Sequence, residues 1–264
     1  MALKQAKVYL VTSVKGGSGK TITTLNLAAL YSLQNKKTLI IDLDLYSGSV
    51  AMLLNLNVRN DLFTISDDFS NNRFEHIEDY ITEFNNNIDV LAAPKDPRTA
   101  SKINGRYLSV IISKAKMKYD VILIDTNHML NEINLMAYDY SDYILYVIQN
   151  EFMTAKNMRT MLSIYGDMGK NNYKVILNNS LGKKNYFTDY DFKHMMNGNI
   201  DYTIPESFYI KNIEKYLLNG EIPLLNKKIY KSNKKAVNNL QKLMKSIELN
   251  EQEIKIKEKL SKKK

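Results

Sequence analysis

The chain has 264 residues, of which 44% are hydrophobic, so it is long enough to bury one substantial core. It contains no cysteine, which excludes disulfide bonds, thiolate metal sites and iron–sulfur clusters held by cysteine. The formal net charge of +9 is compatible with a nucleic acid or an acidic membrane surface as a partner. No apolar run approaches the roughly 20 residues of a membrane span, so we expect a cytoplasmic protein.

A strand, a glycine-rich loop and the start of a helix form the first recognisable motif. Residues 8–14 are apolar and β-branched, as in a buried strand, and residues 21–30 carry apolar side chains at helical spacing. Glycines between them allow backbone N–H groups to surround an anion, and the helix N-terminus adds its dipole. We therefore predict a phosphate-binding loop in which Lys20 reaches the β- and γ-phosphates of a nucleotide and the Thr21 hydroxyl holds Mg2+. The predicted nucleotide-binding residues of this loop are Lys15, Gly16, Gly17, Ser18, Gly19, Lys20, Thr21 and Ile22.

Two acids close the next apolar run. Residues 37–44 predict a second buried strand that ends in Asp42 and Asp44. If the strand continues through them, both side chains point the same way, at the sheet edge where parallel α/β folds place ligands. Two acids beside a phosphate loop suit Mg2+ ligation through water and the orientation of an attacking water. The alternative is that these acids only cap the next turn.

The following stretch is polar at first and carries no catalytic signature. We predict a helix over residues 73–84, a strand over residues 88–94 and a helix over residues 99–118. Residues 119–126 then form a near-continuous apolar strand closed by Asp125. Because it follows a phosphate loop and paired acids, we expect this aspartate to help hold hydrated Mg2+.

The second half of the chain continues the alternation of strands and helices. Strands are predicted over residues 142–148, 173–179 and 202–206, and helices over residues 153–168 and 207–218. Asn178 closes one of these strands, and its amide can pair a donor and an acceptor with adenine. A final amphipathic helix has one apolar side, which we expect to pack on the sheet rather than on a membrane. That side carries Ala236, Leu240, Leu243, Met244 and Ile247.

This order of elements predicts one α/β domain with a mostly parallel β-sheet flanked by helices on both faces. We assign the domain to residues 1–249 and a lysine-rich tail to residues 250–264. Much of the positive charge lies in residues 227–245 and 255–264. We expect these runs to be solvated, with binding to DNA or acidic lipid as the alternative.

The phosphate loop departs from the general pattern G-x-x-x-x-G-K-[ST], because Val14 replaces the first glycine and Lys15 follows it. In this respect it resembles the deviant P-loop of the ParA/MinD family of ATPases, whose loop reads K-G-G-x-G-K-T. The resemblance implies a P-loop NTPase fold, ATP and Mg2+ as cofactors, weak ATP hydrolysis and a nucleotide-dependent homodimer. It also implies that Lys15 reaches the phosphates held by the partner subunit.

The resemblance assigns roles to the catalytic and metal-binding residues as well. It implies that Lys15 and Lys20 act on the phosphates, and that Asp44 positions the attacking water. It further implies that Asp42 supports the magnesium ion. The implied metal ligands are Thr21, Asp42 and Asp125.

Base recognition follows from the same resemblance. The family has an asparagine at the place of Asn178, and a backbone contact to the base just after a proline, here Pro205 and Glu206. This chain departs from the family at two nearby positions. Ile22 stands where a second hydroxyl is usual, and Asn179 stands where arginine is common.

Within the family, the chain resembles the TadZ/CpaE-type ATPases of tight-adherence pilus assembly. Residues 43–54, 90–95 and 219–224 carry this likeness. It implies a factor that positions a pilus or secretion machine, through a protein partner, at the cell pole or a membrane. One rival is a ParA-type partition ATPase that binds nonspecific DNA through the lysines of residues 227–235. The other is a nucleotide-binding scaffold that switches shape without useful hydrolysis.

Overall fold

Eight strands form one sheet at the centre of the part of the chain that the computed structural model describes, which is residues 5–181, 187–211 and 213–248. The strands are β1 (Lys7–Thr12), β2 (Thr38–Asp42), β3 (Thr82–Asn85), β4 (Ile88–Leu91), β5 (Val121–Asp125), β6 (Tyr143–Ile148), β7 (Tyr173–Asn178) and β8 (Tyr202–Ile204). Their order across the sheet is β3-β4-β2-β5-β1-β6-β7-β8. Every neighbouring pair is parallel except β3 with β4. The predicted α/β fold with a mostly parallel sheet is confirmed.

Helices cover both faces of the sheet because its central strands are apolar on both sides. The α-helices are α1 (Lys20–Ser32), α2 (Val50–Leu53), α3 (Leu62–Ser70), α4 (Tyr107–Lys116), α5 (Glu132–Tyr140), α6 (Phe152–Asp167), α7 (Asp189–Met196), α8 (Ile213–Leu218), α9 (Lys227–Ser232) and α10 (Lys234–Glu248). In β1, Val8 and Leu10 face the core under α3 to α7, whereas Tyr9 and Val11 face the core under α1 and α8 to α10. The loop between β1 and α1 therefore follows a strand that is packed on both faces.

The helix predicted over residues 73–84 is wrong. The structure has a short 3-10 helix at Ile77–Tyr80, followed by β3, which pairs antiparallel with β4. The Asn85 side chain closes this hairpin by accepting hydrogen bonds from the backbone N–H groups of Asn87 and Ile88, at 2.9 and 3.0 Å. Such a local turn, together with pairing to a buried strand, outweighs helical spacing in a polar segment.

The helix predicted over residues 99–118 is divided in two. A 3-10 helix at Pro97–Lys102 precedes α4, and between them the Asn104 side chain accepts a hydrogen bond from the backbone N–H of Arg106 at 3.0 Å. This side-chain bond offers the backbone an alternative to the helix. The helix predicted over residues 207–218 is also divided, into a 3-10 helix at Glu206–Phe208 and α8.

The last described helix, α10, packs as expected. Its apolar side is buried against the sheet and α1, so these side chains do not form an exposed membrane face. Within the described ranges, no helix combines the length and apolar character that crossing a membrane requires. The predicted tail, residues 250–264, lies outside the described residues, and its separation from the domain stays a prediction.

Candidate nucleotide site

The glycine-rich loop lies at the carboxyl end of β1, in the middle of the sheet. Gly17 and Gly19 have left-handed backbone angles, with φ of 74° and 88°, which glycine adopts without strain. Helix α1 begins at Lys20, and no side chain of the described residues caps its N-terminus. Its first N–H groups are therefore free to bind an anion.

Lys20 is held beside the loop by Ser13. Its Nζ donates a hydrogen bond to Ser13 Oγ at 3.1 Å, and Ser13 Oγ donates to the backbone carbonyl of Lys15 at 2.6 Å. Burial lowers the pKa of Lys20, while the nearby carboxylates of Asp125 and Asp44 act in the opposite direction. The ammonium group therefore lies close to the predicted magnesium ligands.

Asp125 joins the end of β5 to the first turn of α1. Thr21 Oγ1 donates a hydrogen bond to Asp125 Oδ2 at 2.7 Å, and Thr24 Oγ1 donates to Asp125 Oδ1 at 3.0 Å. Asp42 is the direct neighbour of Asp125 in the parallel pairing of β2 with β5. Thr21, Asp42 and Asp125 are thus brought together, and their oxygen atoms fit the ligand type that Mg2+ prefers.

The strand ends at Asp42, so the predicted strand over residues 37–44 is too long, and the condition under which both acids would share one strand face is not met. Asp42 Oδ1 accepts a hydrogen bond from the Asp44 backbone N–H at 3.1 Å, and Oδ2 accepts one from Val50 N–H at 3.1 Å. Asp42 therefore caps the turn that leads into α2, which was the alternative prediction for this acid. It also remains next to Asp125. Asp44 lies partly exposed in the loop, where its charge acts on Lys20.

The environment of both buried carboxyl groups disfavours their charged forms. Burial raises the pKa of Asp42, and the charge of Asp125 raises it further. Burial also raises the pKa of Asp125, although hydrogen bonds from Thr21 and Thr24 favour its ionised form. A divalent cation at this place would reverse the effect, because it stabilises ionised carboxylates.

Lys15 forms an ion pair with Glu151, the residue before α6. The Lys15 side chain is 46% exposed and that of Glu151 is 17% exposed, so the pair lies at the rim of the loop. The structure thus places Lys15 at the rim of the loop, paired within the chain. Sequence analysis did not identify Glu151.

An apolar cleft of about 210 Å3 lies beside the loop, between α1 and the segment after β8. Ile22 forms part of its wall, together with Phe208, so this side chain contributes apolar surface at the place where the family has a hydroxyl. Asn178 lies at the same cleft. Pro205 is buried and Glu206 is exposed, and neither side chain lines the cleft.

The side-chain amide of Asn178 is engaged within the chain. Its Nδ2 donates a hydrogen bond to the Ser18 carbonyl at 2.9 Å, and its Oδ1 accepts bonds from the backbone N–H and the hydroxyl of Ser180, at 3.1 and 2.7 Å. The role of Asn178 in adenine recognition stays a prediction, whereas in the structure its Nδ2 contacts the loop and its Oδ1 contacts Ser180.

Three further residues lie at the loop. Sequence analysis missed Gln149 and Asn157, and it left out His128 as a loop histidine without a partner. Gln149 Nε2 donates to the Gly17 carbonyl at 2.9 Å, and Asn157 Nδ2 donates to the Val14 carbonyl at 3.2 Å. The His128 ring lies 3.7 Å from the position that a Cβ on Gly16 would take. Gln149 follows β6 at the carboxyl edge of the sheet, so the rule that singled out Asp42 and Asp125 could have identified it. Asn157 lies within α6 and carries no such signal.

A family model described as an AAA domain, AAA_31, matches residues 6–181, which include the loop and both acid-bearing strand ends. The chain belongs to this AAA-domain family.

The fold of the AAA-domain protein is that of the ParA/MinD ATPases. It is similar to a ParA family ATPase from Chlorobium tepidum TLS, with a TM-score of 0.76, 20% identity, and coverage of 90% of this chain and 99% of that one. It is also similar to the septum site-determining protein MinD, complexed with Mg-ADP, from Pyrococcus horikoshii OT3. For that structure the TM-score is 0.74 and the identity 23%, over 90% of this chain and 96% of the other.

Two curated relatives share parts of this AAA-domain sequence. An ATP-binding protein of Methanocaldococcus jannaschii is 34% identical over 146 residues, which is 54% of this chain and 53% of the relative. The tyrosine-protein kinase wzc of Salmonella typhimurium is 27% identical over 194 residues, 73% of this chain and 26% of the kinase. The chain thus spans about half the length of the first relative and about a quarter of the second.

Proposed function

We propose that the chain is an ATP-binding switch ATPase that hydrolyses ATP slowly and dimerises when it binds nucleotide. The observation that carries the proposal is the hydrogen bond between Thr21 Oγ1 and Asp125 Oδ2 at the first turn of α1. The bond joins Thr21, which follows the loop lysine Lys20, to the carboxylate at the end of β5. Both groups lie beside the N-terminus of α1, which is suited to binding phosphate.

Each predicted site residue takes a role in this proposal. The loop N–H groups and Lys20 bind the phosphates, and Thr21, Asp42 and Asp125 hold Mg2+ directly or through water. Bound Mg2+ neutralises charge on the β- and γ-phosphates. Asp44 orients the attacking water, and Lys15 leaves Glu151 to reach the phosphates of the partner subunit. The apolar cleft beside Ile22 takes the adenine base.

The cellular role is a finer proposal. We propose that the switch positions a cellular machine, as in the TadZ/CpaE-type pilus assembly ATPases, through a protein partner at the pole or a membrane. Its support is the likeness of residues 43–54, 90–95 and 219–224 to that branch.

The alternative of a DNA-partition ATPase has support from one surface. Five lysines that lie close together in the sequence, in α9 and at the start of α10, are all exposed. They are Lys227, Lys228, Lys231, Lys234 and Lys235. If they bind DNA phosphates, the affinity of the ATP-bound protein for nonspecific DNA falls steeply with salt. Binding that is absent at low salt would remove this alternative.

A second candidate function is phosphoryl transfer to tyrosine, since a relative over 73% of this chain is named a tyrosine-protein kinase. The same site could transfer the γ-phosphoryl group to a tyrosine hydroxyl in place of water, with ADP as the leaving group. Tyr46 lies two residues after Asp44 and is exposed. After incubation with Mg-ATP, mass spectrometry would detect phosphotyrosine under this candidate, and free phosphate alone under the switch proposal.

Sedimentation of the protein without nucleotide, with ADP and with Mg-ATP tests the main proposal, with phosphate release recorded in the same samples. We expect a dimer with Mg-ATP and slow turnover, and an Asp44→Ala variant that keeps the dimer but loses turnover. Unchanged sedimentation with no turnover would contradict the proposal and favour the static scaffold. Unchanged turnover in the variant would remove Asp44 from its assigned role.

A further inference from the structure

Three side-chain amides, from three separate segments, bind the backbone carbonyls of the phosphate loop. Asn157 on α6 donates to the Val14 carbonyl, Gln149 after β6 donates to Gly17, and Asn178 at the end of β7 donates to Ser18. The donor–acceptor distances are 3.2, 2.9 and 2.9 Å. We refer to Gln149, Asn157 and Asn178 as the amide clamp.

The clamp determines which way the loop N–H groups point. In a planar trans peptide, the C=O and the N–H of one unit point in opposite directions, and the described residues contain no cis peptide bond. Holding the carbonyls of Val14, Gly17 and Ser18 outward therefore turns the N–H groups of the next residues inward. These residues are Lys15, Ser18 and Gly19.

The N–H groups that the clamp orients are unused within the chain. Among the residues that the structure describes, none of the N–H groups of Lys15, Ser18 and Gly19 donates a hydrogen bond. Free N–H groups that converge on one concave loop bind an anion. A polyphosphate is the ligand class for which the adjoining Lys20 and Thr21 are suited.

The contacts of the clamp are close and largely buried. Gln149 is 7% exposed and Asn178 is 5% exposed, so leaving either amide unpaired would cost free energy. Gly19 makes the approach of Asn178 possible, because a Cβ at that position would lie 2.5 Å from Asn178 Nδ2. The third glycine of the loop thus serves the clamp as well as the left-handed turn.

We infer that Gln149, Asn157 and Asn178 are positioning residues, which hold the loop with the N–H groups of Lys15, Ser18 and Gly19 facing the polyphosphate. This inference rests on the proposed function of the same site. It gives Asn178 a role in the phosphate subsite, separate from the base recognition that its family position implies.

The test compares the binding of pyrophosphate and ADP to the wild-type chain and to Gln149→Met, Asn157→Leu and Asn178→Leu. Loss of the donor to the loop carbonyl is expected to weaken both ligands by the same factor, about three- to tenfold in each variant. Asn178→Leu also removes the two hydrogen bonds from Ser180, so its effect is expected at the upper end of that range. Asn150→Leu is the matched control, because Asn150 is also buried but its amide bonds to Phe187 rather than to the loop. Its Nδ2 donates to the Phe187 carbonyl at 2.8 Å, and its Oδ1 accepts from the Phe187 N–H at 3.1 Å. We expect it to leave both affinities unchanged.

Three outcomes would overturn the inference. Variants that are less stable to urea but bind pyrophosphate like the wild type would show a purely structural role. An Asn178→Leu chain that loses affinity for ADP alone would assign that amide to the base. A wild-type chain that binds neither ligand would refute the proposed function itself, and the inference with it. Where an apolar variant does not fold, Gln149→Glu or Asn178→Asp removes the same donor while keeping the shape. A larger weakening is then expected, because the new carboxylate also repels the phosphates.

Discussion

Asp42 and Asp125 are direct register partners on the adjacent strands β2 and β5, and each residue is only 1% exposed. Two carboxyl groups so placed cannot both be charged at low cost without a cation, because burial and mutual repulsion oppose ionisation. The fold therefore holds, in advance, a site that favours either a proton or a divalent cation.

The first prediction concerns the stability of the metal-free chain as a function of pH. Burial raises the pKa of Asp42 and of Asp125 above their ordinary values. Between the unfolded and the folded pKa, the folded chain then binds more protons than the unfolded chain. Its free energy of unfolding should therefore fall as pH rises from the ordinary carboxyl range, by at most about 1.4 kcal/mol per pH unit for each proton.

Urea unfolding in EDTA, without nucleotide, at several pH values between 5 and 8 measures this effect. Asp42→Asn is the control, since it removes one of the two titrating groups and should flatten the slope. A variant with the slope of the wild type would show that Asp42 does not contribute to the pH dependence.

The second prediction concerns the ion pair between Lys15 and Glu151. Because the pair lies at the partly exposed rim, Glu151→Gln should change the free energy of unfolding by less than about 1 kcal/mol. It should strengthen the ATP-dependent dimer up to about fivefold, since Lys15 no longer has to leave a carboxylate. Analytical ultracentrifugation with Mg-ATP measures the dimer. The control is Asp139→Asn, which breaks the exposed ion pair of Asp139 with Lys170 and should leave the dimer affinity unchanged. A weaker dimer in Glu151→Gln would mean that Glu151 itself contributes to the interface.

The third prediction separates two reasons for glycine at position 19. Gly19→Ala introduces both a left-handed alanine and a Cβ 2.5 Å from Asn178 Nδ2, so we expect ADP affinity to fall about tenfold or more. Gly169→Ala carries only the first penalty, because Gly169 has φ of 63° and open space around it. That control should lose about 1 kcal/mol of stability and no affinity. Equal affinity in wild type and Gly19→Ala would refute the close approach of Asn178.

The loop and the fold could be predicted from the sequence because both depend on local signals. Apolar runs mark the strands, and the spacing of Lys20 and Thr21 marks the loop. The contacts that shape the site are long-range, however: Gln149 and Gly17 are 132 residues apart, and Asn157 and Val14 are 143 apart. No periodic pattern links such pairs.

Two of the wrong predictions share a physical cause, which is a side chain that bonds to the backbone nearby. Asp42 accepts a bond from the Asp44 N–H and so ends β2 two residues early. Asn85 closes a hairpin where helical spacing predicted a helix. Short polar side chains compete with the regular ladder in this way, and whether they succeed depends on the neighbouring strand.

The fourth prediction concerns Ile22, which lines the apolar cleft at the place where the family has a hydroxyl. Ile22→Thr removes apolar surface from the cleft, so we expect ADP affinity to fall by about 1 kcal/mol, or about fivefold. Ile22→Val removes one methylene and should cost less than the threonine variant, at most about fourfold on the same basis. Fluorescence titration with a labelled ADP measures both. Tighter binding by the threonine variant would show that a phosphate contact outweighs the apolar wall.

The fifth prediction tests whether the apolar side of α10 belongs to the core or to a membrane. Leu243 is fully buried against the sheet core, so Leu243→Ala should lower the free energy of unfolding by about 2 to 5 kcal/mol. Lys242→Ala, an exposed position on the same helix, should change it by less than about 0.5 kcal/mol. Urea unfolding measures both, and sedimentation with anionic vesicles provides the second readout. If α10 packs in the core, Leu243→Ala destabilises the chain; if it served as a membrane face, the variant would instead keep its stability and lose vesicle binding.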